Sequence, residues 1–258
     1  MMGYTLHRQT PPLNERSAMM ISDKSDKVYD KGNKISTIYP RYAWEKQRCF
    51  IIGGGESLKG FDFSRLDGEL TIGINRSYEF FDSTLLYMMD LLYQDKIVKG
   101  EMDRHTRVES KKKFQNFKGT KIMLCPVSPY PIDSSIHLIR RIEKRYVSLD
   151  IWEGIFGGSN SGFGALMLAI VMGASPIYLL GFDMKCGDFT HWHNGYPGQN
   201  SFDQNKKNES FRLLFEEFAP VLEKIGFKII NLNKDSALNC FEFGDINEVL
   251  KSESLIRK

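Results

Sequence analysis

The residues best suited to chemistry lie just past the ends of short apolar runs. Gly53, Gly54 and Gly55 follow Arg48-Cys-Phe-Ile-Ile directly and lead into Glu56-Ser57-Leu58. Adjacent glycines let the backbone bend sharply and approach a ligand closely. Free N–H groups in such a bend, at a helix start, can hold a phosphate, and Ser57 adds a hydroxyl donor. The run is not the G-x-G-x-x-G of nicotinamide binders, since Leu58 stands at the third glycine, and the Lys-Ser/Thr pair of the ATPase loop is missing. A plain strand-to-helix turn is the competing account. Asn75 and Arg76 end a second run, Leu70–Asn75. An amide can read a base or ribose edge by donating and accepting together, and a guanidinium can fork onto phosphate; a turn asparagine is the structural alternative. Asp90 closes a third run, where a carboxylate can hold ribose, acceptor hydroxyls or a hydrated cation, or cap a following helix.

Two further groups follow. Asn160, Ser161 and Gly162 precede an apolar stretch and form a second candidate anion-binding helix start; an ordinary capped helix is the alternative. Asp183 ends a later run and is followed by His191-Trp-His193 in a polar loop. A neutral imidazole there can serve as general base, with activity falling as pH drops through about 6.5. The H-x-H pair with Asp183 as a third ligand can instead bind a metal, and spacing alone does not decide.

These positions need a scaffold that brings strand ends together. Apolar runs at 48–53, 70–75, 84–90, 120–125, 176–183 and 227–232 read as six strands. They are apolar throughout rather than alternating, which points to a mostly parallel sheet covered on both faces. Helical signals between them make the fold class α/β, a doubly wound, Rossmann-like sheet. Ser161–Met172 is apolar all round and reads as a buried helix, with Asn160 or Ser161 at its start and Gly173 at its end. Glu209–Ile225 shows a clear amphipathic period, with Pro220 expected to kink or split it. Residues 1–45 read as an N-terminal extension, 46–245 as one nucleotide-binding catalytic domain, 95–118 as an insertion or lid within it, and 246–258 as a C-terminal tail.

The 258 residues are 41% hydrophobic and 26% charged, with a formal charge of +3. This is ordinary globular composition, too weakly basic to imply nucleic acid by itself and equally suited to a small anionic substrate. Four widely spaced cysteines, with no C-x-x-C, fit buried thiols in a reducing compartment. No apolar stretch reaches the length of a membrane span, and the first 45 residues carry charge without an apolar signal core. The expected location is cytoplasmic. Oligomeric state is not fixed by the sequence, and a homo-oligomer stays open.

The run Cys49–Leu66 (CFIIGGGESLKGFDFSRL) resembles the opening of single-domain bacterial sialyltransferases that modify lipooligosaccharide. It also resembles the related 6-hydroxymethylpterin diphosphokinases and many phage and bacterial proteins of that superfamily. Asn160–Lys185 is similar to their Ser-Gly helix and following strand, and Asn231–Ser236 to their closing segment. In place of their usual residues stand Glu56, where a proline is common, and Gly54, where the sialyltransferases carry a nucleotide-touching asparagine. The resemblance implies a nucleotide-sugar donor of the CMP-sugar type and a hydroxyl acceptor. Asn75 would bind the nucleotide, with Ser161 and Gly162 at its site, and His191 or His193 would be the base. Tyr196 would stand for a leaving-phosphate tyrosine. The diphosphokinase branch instead implies Mg²⁺ held at Asp90 or Asp183. A third class is a non-catalytic phage accessory protein that kept the fold.

Overall fold

The computed structural model describes residues 24–90, 107–127, 133–193 and 200–254. Among them, eight strands form one parallel sheet: β1 (Cys49–Ile52), β2 (Leu70–Ile74), β3 (Leu85–Met88), β4 (Thr120–Leu124), β5 (Ile136–Ile139), β6 (Ile177–Leu180), β7 (Ile229–Asn231) and β8 (Glu242–Phe243). Their order across the sheet is β5-β4-β3-β2-β1-β6-β7-β8, and every pairing is parallel. The chain moves outward from β1 to β5, then returns to lay β6 on the other side of β1. The switch point therefore lies between β1 and β6, and a crevice at the carboxyl ends of such strands is where open α/β sheets bind ligands.

Helices cover both faces. They are α1 (residues 24–31), α2 (Arg107–Gln115), α3 (Ser161–Val171), α4 (Ser201–Lys224) and α5 (Ile246–Ser254). Side chains alternate along the strands to feed two layers. Cys49, Ile51, Leu85, Tyr87, Ile177 and Leu179 pack with α3 and α4. On the other face, Leu86 and Met88 meet Val28, Tyr29 and Phe114 of α1 and α2. There too, Phe50, Ile52 and Leu180 meet Ile246, Val249 and Leu250 of α5. Burial on both faces is why these strands read as unbroken apolar runs.

Several expectations change. From residue 24 on, the expected extension belongs to the body: Val28, Tyr29, Ile35 and Trp44 are buried. The part of the expected lid at 107–118 contains α2, whose Phe114 and Ser110 are buried. The expected tail contains α5, whose Val249 carbonyl accepts from Arg48 Nη1 at 3.0 Å while the same guanidinium pairs with Glu69. Strands β5 and β8 were not expected. Residues 1–23 of the extension, 95–106 of the insertion, Tyr196 and residues 255–258 lie outside the described residues. Helix α4 starts earlier than expected and runs on through Pro220. Pro220 is exposed, so the carbonyl it leaves unbonded can face water, while Leu214, Phe215, Phe218 and Leu222 hold the other side in the core.

Candidate active site

The ends of β1, β2 and β6 and the start of α3 bring most of the candidate residues to one edge. Asn160 caps α3, its side chain accepting from Phe163 N at 2.8 Å, and Gly173 closes the helix in a left-handed conformation, φ +82. The amides of Ser161 and Gly162, in the first turn, have no acceptor within the helix. Ser161 Oγ donates to Asn75 Oδ1 at 3.4 Å. Asn75 itself is left-handed, φ +51, a conformation asparagine tolerates better than most residues. Asn160 Nδ2, beside this helix start, is buried and has no hydrogen-bond partner among the described residues.

The glycine bend is built differently from the expected phosphate cradle. Gly53 N donates to Leu180 O at 2.8 Å and Gly55 N to Gly181 O at 2.8 Å. Ser57 N donates to Asp183 Oδ2 at 2.8 Å and Ser57 Oγ to Asp183 Oδ1 at 2.5 Å. A protein carboxylate thus occupies the place an anion would take. Each glycine answers a protein neighbour. A methyl at Gly53 would stand 2.6 Å from Gly181 O, one at Gly54 2.8 Å from His191 Cδ2, and one at Gly55 would collide with the Asp183 carboxylate. Gly162 likewise makes room for Phe182, whose Cε1 a methyl would meet at 2.9 Å. Phe182 therefore packs against both the bend and the helix start.

Asp183, only 5% exposed, also accepts from Asn233 Nδ2 at 2.8 Å. With three donors on its two oxygens, the carboxylate proposed above for Mg²⁺ braces the glycine bend against the segment after β7. Among the described residues, no group of three or more His, Cys, Asp or Glu is placed to hold a metal. Arg76, expected to fork onto phosphate, is 3% exposed and forks onto Glu79, Nε to Oε1 at 2.8 Å and Nη2 to Oε2 at 2.7 Å. Asp90 is exposed beyond β3, one strand farther out than Asn75. No hydrogen bond joins it to the other candidates among the described residues.

No protein-family model and no curated protein sequence matches the chain. Among solved structures, it is similar to the MAf glycosyltransferase of Magnetospirillum magneticum AMB-1, at 9% identity and TM-score 0.49, covering 93% of this chain and 41% of that one. The chain thus spans about two fifths of that protein's length. It is similar to the sialyltransferase CstII of Campylobacter jejuni, solved with the substrate analogue CMP-3FNeuAc, at 20% identity and TM-score 0.40, covering 76% of this chain and 85% of that one. A mammalian sialyltransferase matches at 14% identity and TM-score 0.37, over 86% and 80% of the two chains. Similarity at this level assigns no residue a role.

The histidine loop lies over the bend. Trp192 N donates to Gly54 O at 3.2 Å and Trp192 Nε1 to Gly53 O at 3.0 Å. The rings of His191 and His193 are 5.6 Å apart. Burial, then Lys207, pushes His191 down to about 4. Burial, then His191 and Arg76, pushes His193 down to about 3. Both imidazoles are neutral at pH 7 and able to accept a proton. Burial thus holds both rings below the free-imidazole value on which the expected fall of activity through about pH 6.5 was based.

Sequence reasoning missed Asn233 and Ser236. Ser236 Oγ donates to Phe182 O at 2.6 Å, so the segment after β7 holds the end of β6 from outside. Its signal was the polar cluster Asn231-Leu-Asn-Lys-Asp-Ser236 following an apolar strand.

Proposed function

We propose that this chain is a sugar transferase that takes a nucleotide-sugar donor of the CMP-sugar type and a hydroxyl acceptor. The observation that carries this reading is the Ser161–Asn75 contact at the ends of α3 and β2, beside a neutral histidine pair lodged on the glycine bend. The donor phosphate lies at the α3 start, where the Ser161 and Gly162 amides, the Asn160 amide and the helix dipole all favour negative charge. Asn75 orients the nucleoside. The glycine bend, its Gly53, Gly55 and Ser57 amides already bonded, serves as scaffold rather than cradle. His191 or His193 takes the proton from the acceptor hydroxyl. The acceptor oxygen then bonds to the anomeric carbon, the bond from that carbon to the phosphate oxygen breaks, and the nucleotide leaves with the bond's electrons. A nearby phosphate also raises the basicity of a buried imidazole, matching the base to the occupied site. The resemblance of the Ser161–Gly162 pair and Asn75 to a sialyltransferase nucleotide site supports the same placement.

The test is a thermal-shift screen with CMP, UDP, GDP and ATP, with and without Mg²⁺. Saturating CMP, at about a hundred times Kd, stabilises by about 2.7 kcal/mol and raises Tm by roughly 5–10 °C in a chain of this size, without Mg²⁺. Stabilisation by ATP with Mg²⁺ alone, or by no nucleotide, overturns the reading.

A further inference from the structure

One aromatic group near this site has no place in the reaction just described. Phe80 closes the short 3-10 segment Asn75–Glu79 and leaves 49% of its surface exposed. Its ring is nonetheless held: Trp192 meets it at 4.6 Å with planes at 61°, and His193 lies at 5.5 Å with planes 24° apart. Behind them Phe63 packs on Trp192 at 5.1 Å and stacks on Phe81 at 4.5 Å. A large apolar ring kept half in water on a rigid aromatic backing is a surface made for another flat ring.

Its position says which ring. The segment begins at Asn75, beside the α3 start, and ends at Phe80. At about 2 Å rise per residue, the two ends are roughly 10 Å apart. In open α/β sheets a nucleotide extends from its phosphate at a helix start toward the end of the second strand. A phosphate at Ser161 and a ribose at Asn75 therefore leave the base over the far end of the segment. We infer that Phe80, backed by Trp192 and His193, is the stacking surface for the nucleobase of the donor. This rests on the nucleotide reading above. It assigns His193 to the backing of the base site and leaves His191, at the switch point, as the general base. Stacking accepts any base, because every base offers a π-face; the ring contributes affinity and leaves the choice of base to polar contacts.

Isothermal titration of wild type, Phe80→Ala and Phe80→Tyr with CMP, UMP, AMP, GMP and ribose 5-phosphate tests this. In wild type the best nucleoside monophosphate binds more tightly than ribose 5-phosphate, and that ratio is the contribution of the base. Phe80→Ala shrinks the ratio by about five- to a hundred-fold, with ribose 5-phosphate affinity unchanged, while Phe80→Tyr keeps it. An unchanged ratio in a folded Phe80→Ala protein overturns the stacking surface and spares the transferase reading. Failure of wild type to bind any of the four nucleotides overturns both.

Discussion

Replacing Asp183 by asparagine keeps the shape of the side chain and removes its charge, so it isolates what the carboxylate does. In the structure its two oxygens accept from Ser57 N, Ser57 Oγ and Asn233 Nδ2. Hydrogen bonds to a charged group contribute about 1.5–3 kcal/mol, against about 0.5–1.5 for neutral pairs. An amide nitrogen at the Oδ2 position would face the fixed Ser57 N–H, donor against donor. The better orientation puts it at Oδ1, where Ser57 Oγ can rotate to accept, though the Asn233 amide, whose Oδ1 accepts from Asp235 N at 3.0 Å, can turn over only by giving up that bond. Even then three charge-assisted bonds become neutral ones, each weaker by about 1–1.5 kcal/mol, so Asp183→Asn should cost about 3–4 kcal/mol. That corresponds to roughly 6–16 °C in Tm. Asp183→Ala, which leaves the donors buried and unpaired, should cost more. Urea unfolding followed by circular dichroism, with calorimetry for Tm, measures both. A double-mutant cycle with Ser57→Ala should show at least about 1 kcal/mol of coupling. A loss below about 0.5 kcal/mol for Asp183→Asn, or no coupling, would refute the carboxylate's part in holding the glycine bend.

Glu79→Ala takes from the buried Arg76 guanidinium the carboxylate it forks onto, and chemical denaturation should show a loss of up to about 3–5 kcal/mol. Gly54→Ala directs a methyl at the His191 ring, a side chain that can give way; transferase activity should drop at least about ten-fold by displaced base while Tm moves by only a few degrees. Both histidines are held neutral by burial, at about 4 and about 3, whereas the unfolded chain protonates them near 6.5. Stability should therefore decline as pH falls from about 6.5 toward 4, because only the unfolded state gains protons in that window. In kcat/KM, which reports the free enzyme, the activity of a neutral imidazole should persist until about pH 4. A kcat/KM profile with its acid limb near 6.5 would show that the base is not one of these two rings as placed.

Six of the strands were legible because each is buried on both faces and so forms an unbroken apolar run. The two edge strands were not. β5 carries His137 in a run of four residues, and β8 has two residues, one exposed and one half-buried, so neither shows a signal that rises above a loop. The segment 24–45 reads as polar because its buried residues, Val28, Tyr29, Ile35 and Trp44, are scattered at no regular period. At the site, strand ends and loop glycines could be read from the sequence, but their partners could not. A glycine run signals close approach without saying what approaches, and here the visitors to the bend are Gly181, His191 and Asp183 from more than a hundred residues away. Arg76 and Glu79 are three apart, a spacing compatible with pairing, yet only the fold shows that the guanidinium forks onto this carboxylate.

The indole pinned on the Gly53 carbonyl has a practical side. The protein has three tryptophans: Trp44 is enclosed in the core, Trp152 sits in solvent beside Arg41, and Trp192 alone borders the candidate site. Its emission is thus a built-in optical gauge of that edge of the sheet, readable without any label. Quenching with a small solute would separate the three environments, and the partly shielded component would report directly on whatever settles over the bend.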